Sequence, residues 1–530
     1  MPIQSKTAQT TYEQLASRRE SYLKSARRAA ELTIPFLFPP DGATSSSEFA
    51  TPYQSVGSRG VNNLASKLLI ALLPPNSPFF RLVIDRFELK KIEADPRMKT
   101  ALEAGLAEVE RAVAAEVETS TVRVSIFEAL KQLIVSGNAL LYVPKSGGVR
   151  VFRLDRYVVK RDPMGNVLCI VTKESIDLDA LPADLRKLVQ SKTTQDNSGQ
   201  QCTDQTQHVY TMIRRKRGSK SWEVWQEING RIVPESAGSY PLDKCPWIPL
   251  RFSKVDGEDY GRGLVEEVLG DLSSLESLSQ SLVESAAAAA KVVFLVSPNG
   301  STRTSELAGA PNGGFVTGHK DDVTTLQLDK FYDLQVVREQ VVKIQRDLEQ
   351  AFLLTAGATR QAERVTAEEI RAMVQELEAT LGGVYSILAQ ELQLPLVNAL
   401  MDRMADDKRL PAIPKKVVKP TIVTGLDALG RGNDLQKLDA FLMGVQQTLG
   451  PQVVQQFVNV PDYLERRATA LGIDTEGLIK SPDQMAEEEQ QAQMQALMAK
   501  LGPNVVNQAG QIVQNSQKAA LAGEGAAAAQ

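Results

Sequence analysis

The sequence predicts an α+β fold divided into about two to four domains. Three observations carry that reading. At 530 residues the chain is longer than one hydrophobic core ordinarily serves. Its apolar residues follow a helical period in some blocks and a strand-like pattern in others. Two helical stretches of similar length, Arg262 to Lys291 and Phe331 to about Phe352, enclose a short β-rich excursion and describe a stalk with a knob at its end.

From the N-terminus, Thr10 to Leu32 reads as a helix. Arg18, Arg19, Lys24, Arg27 and Arg28 give it a basic side, either a solvated face or a surface for a polyanion. The run Pro35 to Pro40 ends it, and the serine-rich stretch Asp41 to Pro52 reads as an arm reaching a neighbour. Val56 to Leu73 is helical again, with Val61, Leu64, Leu68 and Leu72 on one stripe, and Pro74, Pro75 and Pro78 stop it. Phe79 to Ile84 predicts a strand; Met98 to Thr119 and Ser125 to Ser136 predict helices. Beyond Gly137 the pattern is β-dominated to about Pro249: Ala139 to Val143, Val149 to Leu154, Tyr157 to Lys160, Val167 to Thr172, His208 to Arg214 and Trp222 to Ile228. The polar stretch Ser191 to Gln207 reads as a mobile loop.

In the stalk, Leu264, Val268, Leu272, Leu275, Leu282 and Ala286 recur at three- and four-residue steps, a single helix of about 45 Å at 1.5 Å per residue. Strands are predicted at Val292 to Val296, Phe315 to Thr317 and Val323 to Leu328, separated by Pro298-Asn299-Gly300 and Asn312-Gly313-Gly314 turns. The returning helix carries Leu334, Val337, Val341, Ile344, Leu348 and Phe352 on one face. A loop, Leu354 to Arg364, follows. Thr366 and Glu369 then form a capping box at the start of a longer helix, with bends expected at Gly382-Gly383 and Pro395. Pro411, Pro414 and Pro420 mark a crossover, after which Leu435 to Leu449, Pro451 to Val458 and Pro461 to Leu471 are short helical units. From Pro482 the chain is rich in Gln, Met and Ala and ends in GEGAAAAQ.

Sixty basic and 64 acidic residues give a net charge of −4, which excludes a globally basic nucleic-acid binder but not a local basic patch. Cys169, Cys202 and Cys245 fit neither a disulfide framework nor a zinc spacing, and His208 and His319 form no ligand pair. The N-terminus lacks the apolar run of a secretion signal, and no run of eighteen or more apolar residues predicts a membrane span. Gly261-Arg262-Gly263 has the wrong length for a phosphate loop and lacks its lysine, so it reads as a turn entering the long helix. No metal, cofactor or enzyme signature emerges; carboxylates such as Glu368, Glu369, Glu376 and Glu378 read as solvated faces or intersubunit partners.

Four strings carry a family resemblance: TPYQSVGSRGVNNLASKLLIALLPPNSPFFRL (Thr51 to Leu82), FEALKQLIVSGNALLYVP (Phe127 to Pro144), GRGLVEEVLGDLSSLE (Gly261 to Glu276) and ERVTAEEIRAMVQELEATLGGVYSILAQELQLPLV (Glu363 to Val397). They resemble the portal, or head-to-tail connector, protein of short-tailed bacteriophages, from about Tyr12 to about Thr475. The resemblance implies a dodecameric ring at the capsid's portal vertex, a conduit for double-stranded DNA during packaging and ejection, assembled in the host cytoplasm. It implies a wing (1–261), a first stem helix (262–291), a clip (292–330), a second stem helix (331–353), a channel loop (354–364), a long kinked wing helix and crossover (365–420), a helical crown (421–481), and a C-terminal barrel or flexible Ala/Gln-rich tail (482–530). The partners implied are other copies of the chain, DNA held without sequence preference, the terminase large subunit, the scaffolding protein, the major capsid protein, a tail adaptor protein and internal core proteins. Arg338, Lys343, Arg346, Arg360 and Arg364 are the expected channel residues; Arg303, Glu306, His319, Lys320, Asp321 and Asp322 are the expected docking residues of the clip. The alternative is an oligomeric virion adaptor or scaffold component without a DNA-conducting lumen.

A size estimate bears on the ring. Twelve stem helices spaced about 10 Å apart give a circle about 38 Å across between helix axes. Subtracting a helix radius of about 5 Å on each side leaves about 28 Å. A B-form duplex of about 20 Å passes. Eleven or thirteen copies also suffice, whereas eight leave about 15 Å and block it. The two stem helices carry net charges of −3 and −1, which suits a conduit that must not grip its cargo, since each neutralised phosphate adds a binding increment to overcome.

Overall fold

The computed structural model describes residues 7–43, 46–75, 79–84, 96–177, 206–216, 218–290, 293–326, 331–354, 375–377, 379–381, 383–410, 420–424, 431–450, 463, 464 and 467. The chain divides into two units, Met1–Leu429 and Gly430–Gln530.

In the first unit, helix α1 (Ala8–Glu31) begins at Thr7, whose hydroxyl accepts from the Thr10 amide and satisfies one of the free N–H groups of the first turn. Its Ala8, Tyr12 and Leu15 pack on Val158, Val171, Tyr210 and Met212 of a sheet. That six-stranded antiparallel sheet runs β4 (Tyr157–Arg161), β5 (Val167–Asp177), β6 (Thr206–Arg215), β7 (Ser221–Ile228) and β8 (Arg231–Ile232), with β9 (Gly238–Pro241) also on β7. Arg19, expected on a basic outer side, is buried beneath α1, where its guanidinium donates to the Tyr12 hydroxyl and the carbonyls of Asp155 and Tyr157. Arg18, Lys24 and Arg28 are exposed.

The largest core lies under α2 (Val56–Leu72), α3 (Pro96–Thr119) and α4 (Val122–Ser136), and takes in a three-stranded sheet ordered β10 (Trp247–Arg251), β2 (Asn138–Tyr142), β3 (Arg150–Phe152). Gly137 ends α4 with φ of 75°, a left-handed conformation that favours glycine. It also lies so close to Gly263 that a Cβ on either would press within 3 Å of the other's backbone. Gly261-Arg262-Gly263 leads into the stalk as its sequence predicts, and the close backbone approach is what its glycines permit.

The stalk enters here as two helical pieces, α5 (Leu264–Glu267) and α6 (Leu269–Ala289), interrupted at Val268 where the apolar spacing predicts one continuous helix. After the clip, α7 (Phe331–Ala351) returns and packs on α6. Leu272 and Leu275 near the start of α6, and Leu348 and Phe352 at the end of α7, belong to the main core. At about 1.5–3 kcal/mol for each buried side chain, these four are the hydrophobic anchor of the hairpin. Glu276 adds a polar tie, accepting from the backbone amides of Tyr53 and Gln54.

The long helix predicted after the channel loop is segmented: α8 (Val384–Leu388), a π-helical turn (Ala389–Gln393) and α9 (Leu394–Asp406). Gly383, at φ 91°, makes the expected break, and the second irregularity falls in the turn immediately before Pro395. In that turn the Glu391 carboxylate takes the buried Arg251 guanidinium and the Arg251 amide, and Gln393 donates to the Leu72 carbonyl. The π turn thus aims two polar side chains into the wing core. Beyond it, β13 (Pro420–Thr424) pairs antiparallel with β1 (Phe80–Ile84), a strand where the prolines predict only a crossover. The second unit is described by α10 (Arg431–Leu449), with Tyr463 and Arg467 bound to Asp439 on its side.

The expected C-terminal barrel is corrected. The sheets among the described residues are open, with two, three, two and six strands, and no sheet closes on itself. A barrel requires strands paired edge to edge around a closed circle, and each sheet among the described residues ends at free edges. Residues 482–530, to which the barrel was assigned, lie outside the described residues, as do residues 191–205 with Cys202, and the helical unit Pro451 to Val458.

One pair of substitutions tests the packing. A Cβ on Gly60 of α2 would fall 2.4 Å from Phe352 Cγ, whereas one on Gly105 of α3 meets nothing within 4 Å. Gly60→Ala is expected to destabilise by about 1–3 kcal/mol through overpacking at the stalk base. Gly105→Ala is expected to stabilise by about 0.5–1 kcal/mol through helix propensity. Thermal unfolding of the two variants giving shifts of the same sign would refute this account.

Candidate functional site

Burial along the stalk changes sharply. Beyond Leu275 on α6 and before Leu348 on α7, the side chains are exposed or only partly covered. Apolar residues stand among them: Val283 is 54% exposed, Tyr332 82%, Val336 60% and Val342 39%. These side chains stand on both helices and on more than one arc of α7. Arg338, Lys343 and Arg346 are all exposed on α7, none in a salt bridge among the described residues. Arg360 and Arg364, and the capping residues Thr366 and Glu369, lie outside the described residues.

At the far end of the hairpin is the segment expected to be the clip. Its strands β11 (Val293–Val296) and β12 (Val323–Leu326) pair antiparallel, Val293 opposite Leu326 and Val296 opposite Val323. Phe294 and Leu295 remain half exposed, as expected of a two-stranded ribbon with no second layer. Phe315 to Thr317 forms no strand: these residues follow the Asn312-Gly313 turn without a ladder partner, and the Phe315 ring is fully exposed. A short helix, Thr304–Gly309, stands between the two predicted turns, where the pattern predicts no element.

The six expected docking residues separate into two roles. Arg303, Glu306, His319, Lys320 and Asp321 are exposed, Arg303 and Glu306 pairing at 3.6 Å. Asp322 turns inward, its carboxylate accepting from the backbone amides and hydroxyls of both Ser301 and Thr302 at 2.9–3.2 Å. Desolvation pushes the Asp322 carboxyl upward, but these bonds outweigh it and hold the group below the usual carboxylate range. Gly300 sits against the same carboxylate, where a Cβ would fall 2.5 Å from Asp322 Cγ. Asp322 therefore orders the clip loop. No local pattern signals this role, because its partners lie 20 and 21 residues away.

Chemically the site offers surface. No group of His, Cys, Asp and Glu able to hold a metal occurs among the described residues, and no helix among them is long and apolar enough to cross a membrane. Burial pushes the Cys169 thiol up to about 11 and the Cys245 thiol up to about 12, so neither is a nucleophile near neutral pH.

Comparison with known proteins adds a family likeness. Residues 5–479 match the family described as "Bacteriophage head to tail connecting protein". The chain is 43% identical over 493 residues to the portal protein of Escherichia phage T7, covering 92% of this chain and 91% of that one. It is 41% identical over 525 residues to the portal protein of Enterobacteria phage T3, covering 98% and 94%. It is 32% identical to the portal protein of Pseudomonas phage phiKMV over 501 residues, covering 93% and 95%.

Because the Asp322 carboxyl is held low on folding, its contribution is present above the ordinary carboxylate range and is lost as pH falls through the lowered value. Amide protection of Ser301 and Thr302, measured by hydrogen exchange, should hold at neutral pH and fall on acidification. Asp322→Ala should abolish that protection at every pH; protection retained in this variant would mean another group orders the loop.

Proposed function

The chain belongs to the bacteriophage head to tail connecting family as a structural portal protein, and from that premise we propose that about twelve copies form a ring whose paired α6 and α7 helices line the channel for double-stranded DNA. The observation that carries this reading is the apolar surface left exposed at Val283, Val336 and Val342 on a hairpin whose fully buried apolar side chains, among the described residues, lie at its base. Exposed apolar surface of this kind marks an interaction surface. Neighbouring copies of the same hairpin cover it in a closed ring. The stem spacing estimated above leaves room for a duplex, and the acidic balance of the stem keeps DNA moving.

Within that ring, residues 1–261 with the segmented helix act as the wing, residues 292–330 as the clip and residues 421–481 as the crown. The exposed clip residues Arg303, Glu306, His319, Lys320 and Asp321, together with Phe315, form the surface on which the terminase large subunit and later the tail adaptor dock. The wing contacts the scaffolding protein, the major capsid protein and internal core proteins. The ring occupies the portal vertex of the virion after assembly in the host cytoplasm. Lys343 and Arg346, with Arg338 and the channel-loop residues Arg360 and Arg364, make weak contacts to the DNA backbone without reading sequence.

Electron-microscope images of the purified protein decide the first point. A ring with a lumen of about 20 Å or more is expected, and Val336→Asp with Val342→Asp should convert it to smaller species. A closed particle would favour an adaptor without a lumen. Packaging assays decide the second: Lys343→Ala and Arg346→Ala should each change packaging efficiency by a modest factor, about two- to fivefold for a contact of about 0.5–1 kcal/mol. Unchanged packaging in both would remove these residues from the channel's contacts.

A further inference from the structure

Away from the stem and clip, α1, the loop Pro39 to Ala43 and the edge of the six-stranded sheet enclose a cleft of about 380 Å³. Five cationic side chains line it: Arg19 and Arg27 from α1, Arg153 and Arg156 from the turn before β4, and Lys173 from β5. Only two carboxylates, Asp41 and Asp155, line it with them, a surplus of three positive charges. Those two are already engaged. Asp41 takes both terminal nitrogens of Arg27, and Asp155 takes Arg153 at 3.1 Å with Arg156 at 3.7 Å.

Arg19 is the informative member. It is 5% exposed, and its hydrogen bonds go to neutral oxygens, the Tyr12 hydroxyl and two carbonyls. Its Nε finds no partner among the described residues, and neither does the Nε of Arg27. A buried guanidinium with no ion pair within 4 Å among the described residues is only partly repaid for its desolvation. The crowding reaches its neighbours. Lys173 is held below its ordinary pKa by burial and then by Arg156 and Arg19, which outweigh Glu13. His208 is lowered by burial and then by Lys173 and Arg156.

We propose that this cleft is a phosphate-binding site in which Arg19, Arg156 and Lys173 hold the oxyanion. Phosphate fits better than a carboxylate because the chain already supplies carboxylates and still carries the surplus. A phosphate monoester brings about −1.5 to −2 charge and three strong acceptor oxygens, and guanidinium forks match its geometry. The cleft has room for a phosphate and part of the group that carries it. That carrier is either a soluble phosphate compound or the end of a nucleic-acid strand. The inference is independent of the channel reading, since none of these residues lies in the stem or clip.

The full-length protein, as purified, is titrated calorimetrically with inorganic phosphate and, separately, with a 5′-phosphorylated duplex of about 12 base pairs, just over one helical turn. Lys173→Gln and Arg156→Gln should each weaken binding by about tenfold, the loss of one charge-assisted contact. Lys173→Arg should retain it, and Arg231→Gln, on an exposed strand distant in sequence, should leave it unchanged. Loss confined to the cleft variants in the phosphate titration assigns a soluble carrier, and loss confined to the duplex titration assigns a strand end; both support the site. Absence of binding in both titrations, or equal weakening in Arg231→Gln, overturns it. Unchanged thermal unfolding in Lys173→Gln separates lost binding from lost folding.

Discussion

The structure turns on where burial stops along the stalk. Leu272, Leu275, Leu348 and Phe352 are sealed into the wing core, and within a few residues the same two helices become exposed. Gly60 makes that seal possible, because its missing Cβ is the space the Phe352 ring occupies. A hairpin held at its base by packed apolar side chains carries its exposed apolar residues and its two-stranded ribbon outside that core. The same burial boundary leaves apolar side chains of both helices outside the chain's own core.

Polar contacts tie distant segments of the first unit together. Arg251 is buried in β10, and its charge is met by Glu391 from the π turn, while Arg161 nearby is pushed down to about 10 by burial and by Arg251. Breaking such a pair would strand a charge in the interior, which makes it a strict positional constraint even where its net contribution to stability is small. Arg403 is buried against Glu116 of α3 in the same manner, with the half-exposed Arg409 on the other carboxylate oxygen. The π turn is thus explained by what its side chains reach: an ordinary helical turn would rotate Glu391 away from Arg251.

Helix α1 shows how a patch of charge on a helix can mislead. Five basic residues suggest one outer side, yet Arg19 lies beneath the helix, Arg27 is clasped by Asp41, and only Arg18, Lys24 and Arg28 face solvent. Helical spacing places residues around an axis but does not say which arc meets the sheet. The arc is set by Tyr12 and Leu15, which need the apolar face of β4 to β6, and Arg19 follows them at the next turn.

What the sequence determined by itself was local and periodic. The stem helices, the wing helices and most wing strands were legible from apolar spacing, and the breaks at Gly137, Gly263 and Gly383 from glycine, because these depend on neighbours within a few residues. The family strings made membership of the portal family legible as well. Tertiary structure alone decided what depends on distant partners: that Val268 interrupts the first stem helix, that Pro420 to Thr424 returns as a strand on β1, that Phe315 to Thr317 finds no ladder, that Asp322 faces inward, and that five cations from three segments meet in one cleft. A strand exists only where another edge accepts its hydrogen bonds, and a charge acquires its role only from what is folded against it. Neither condition is written within the reach of a local pattern.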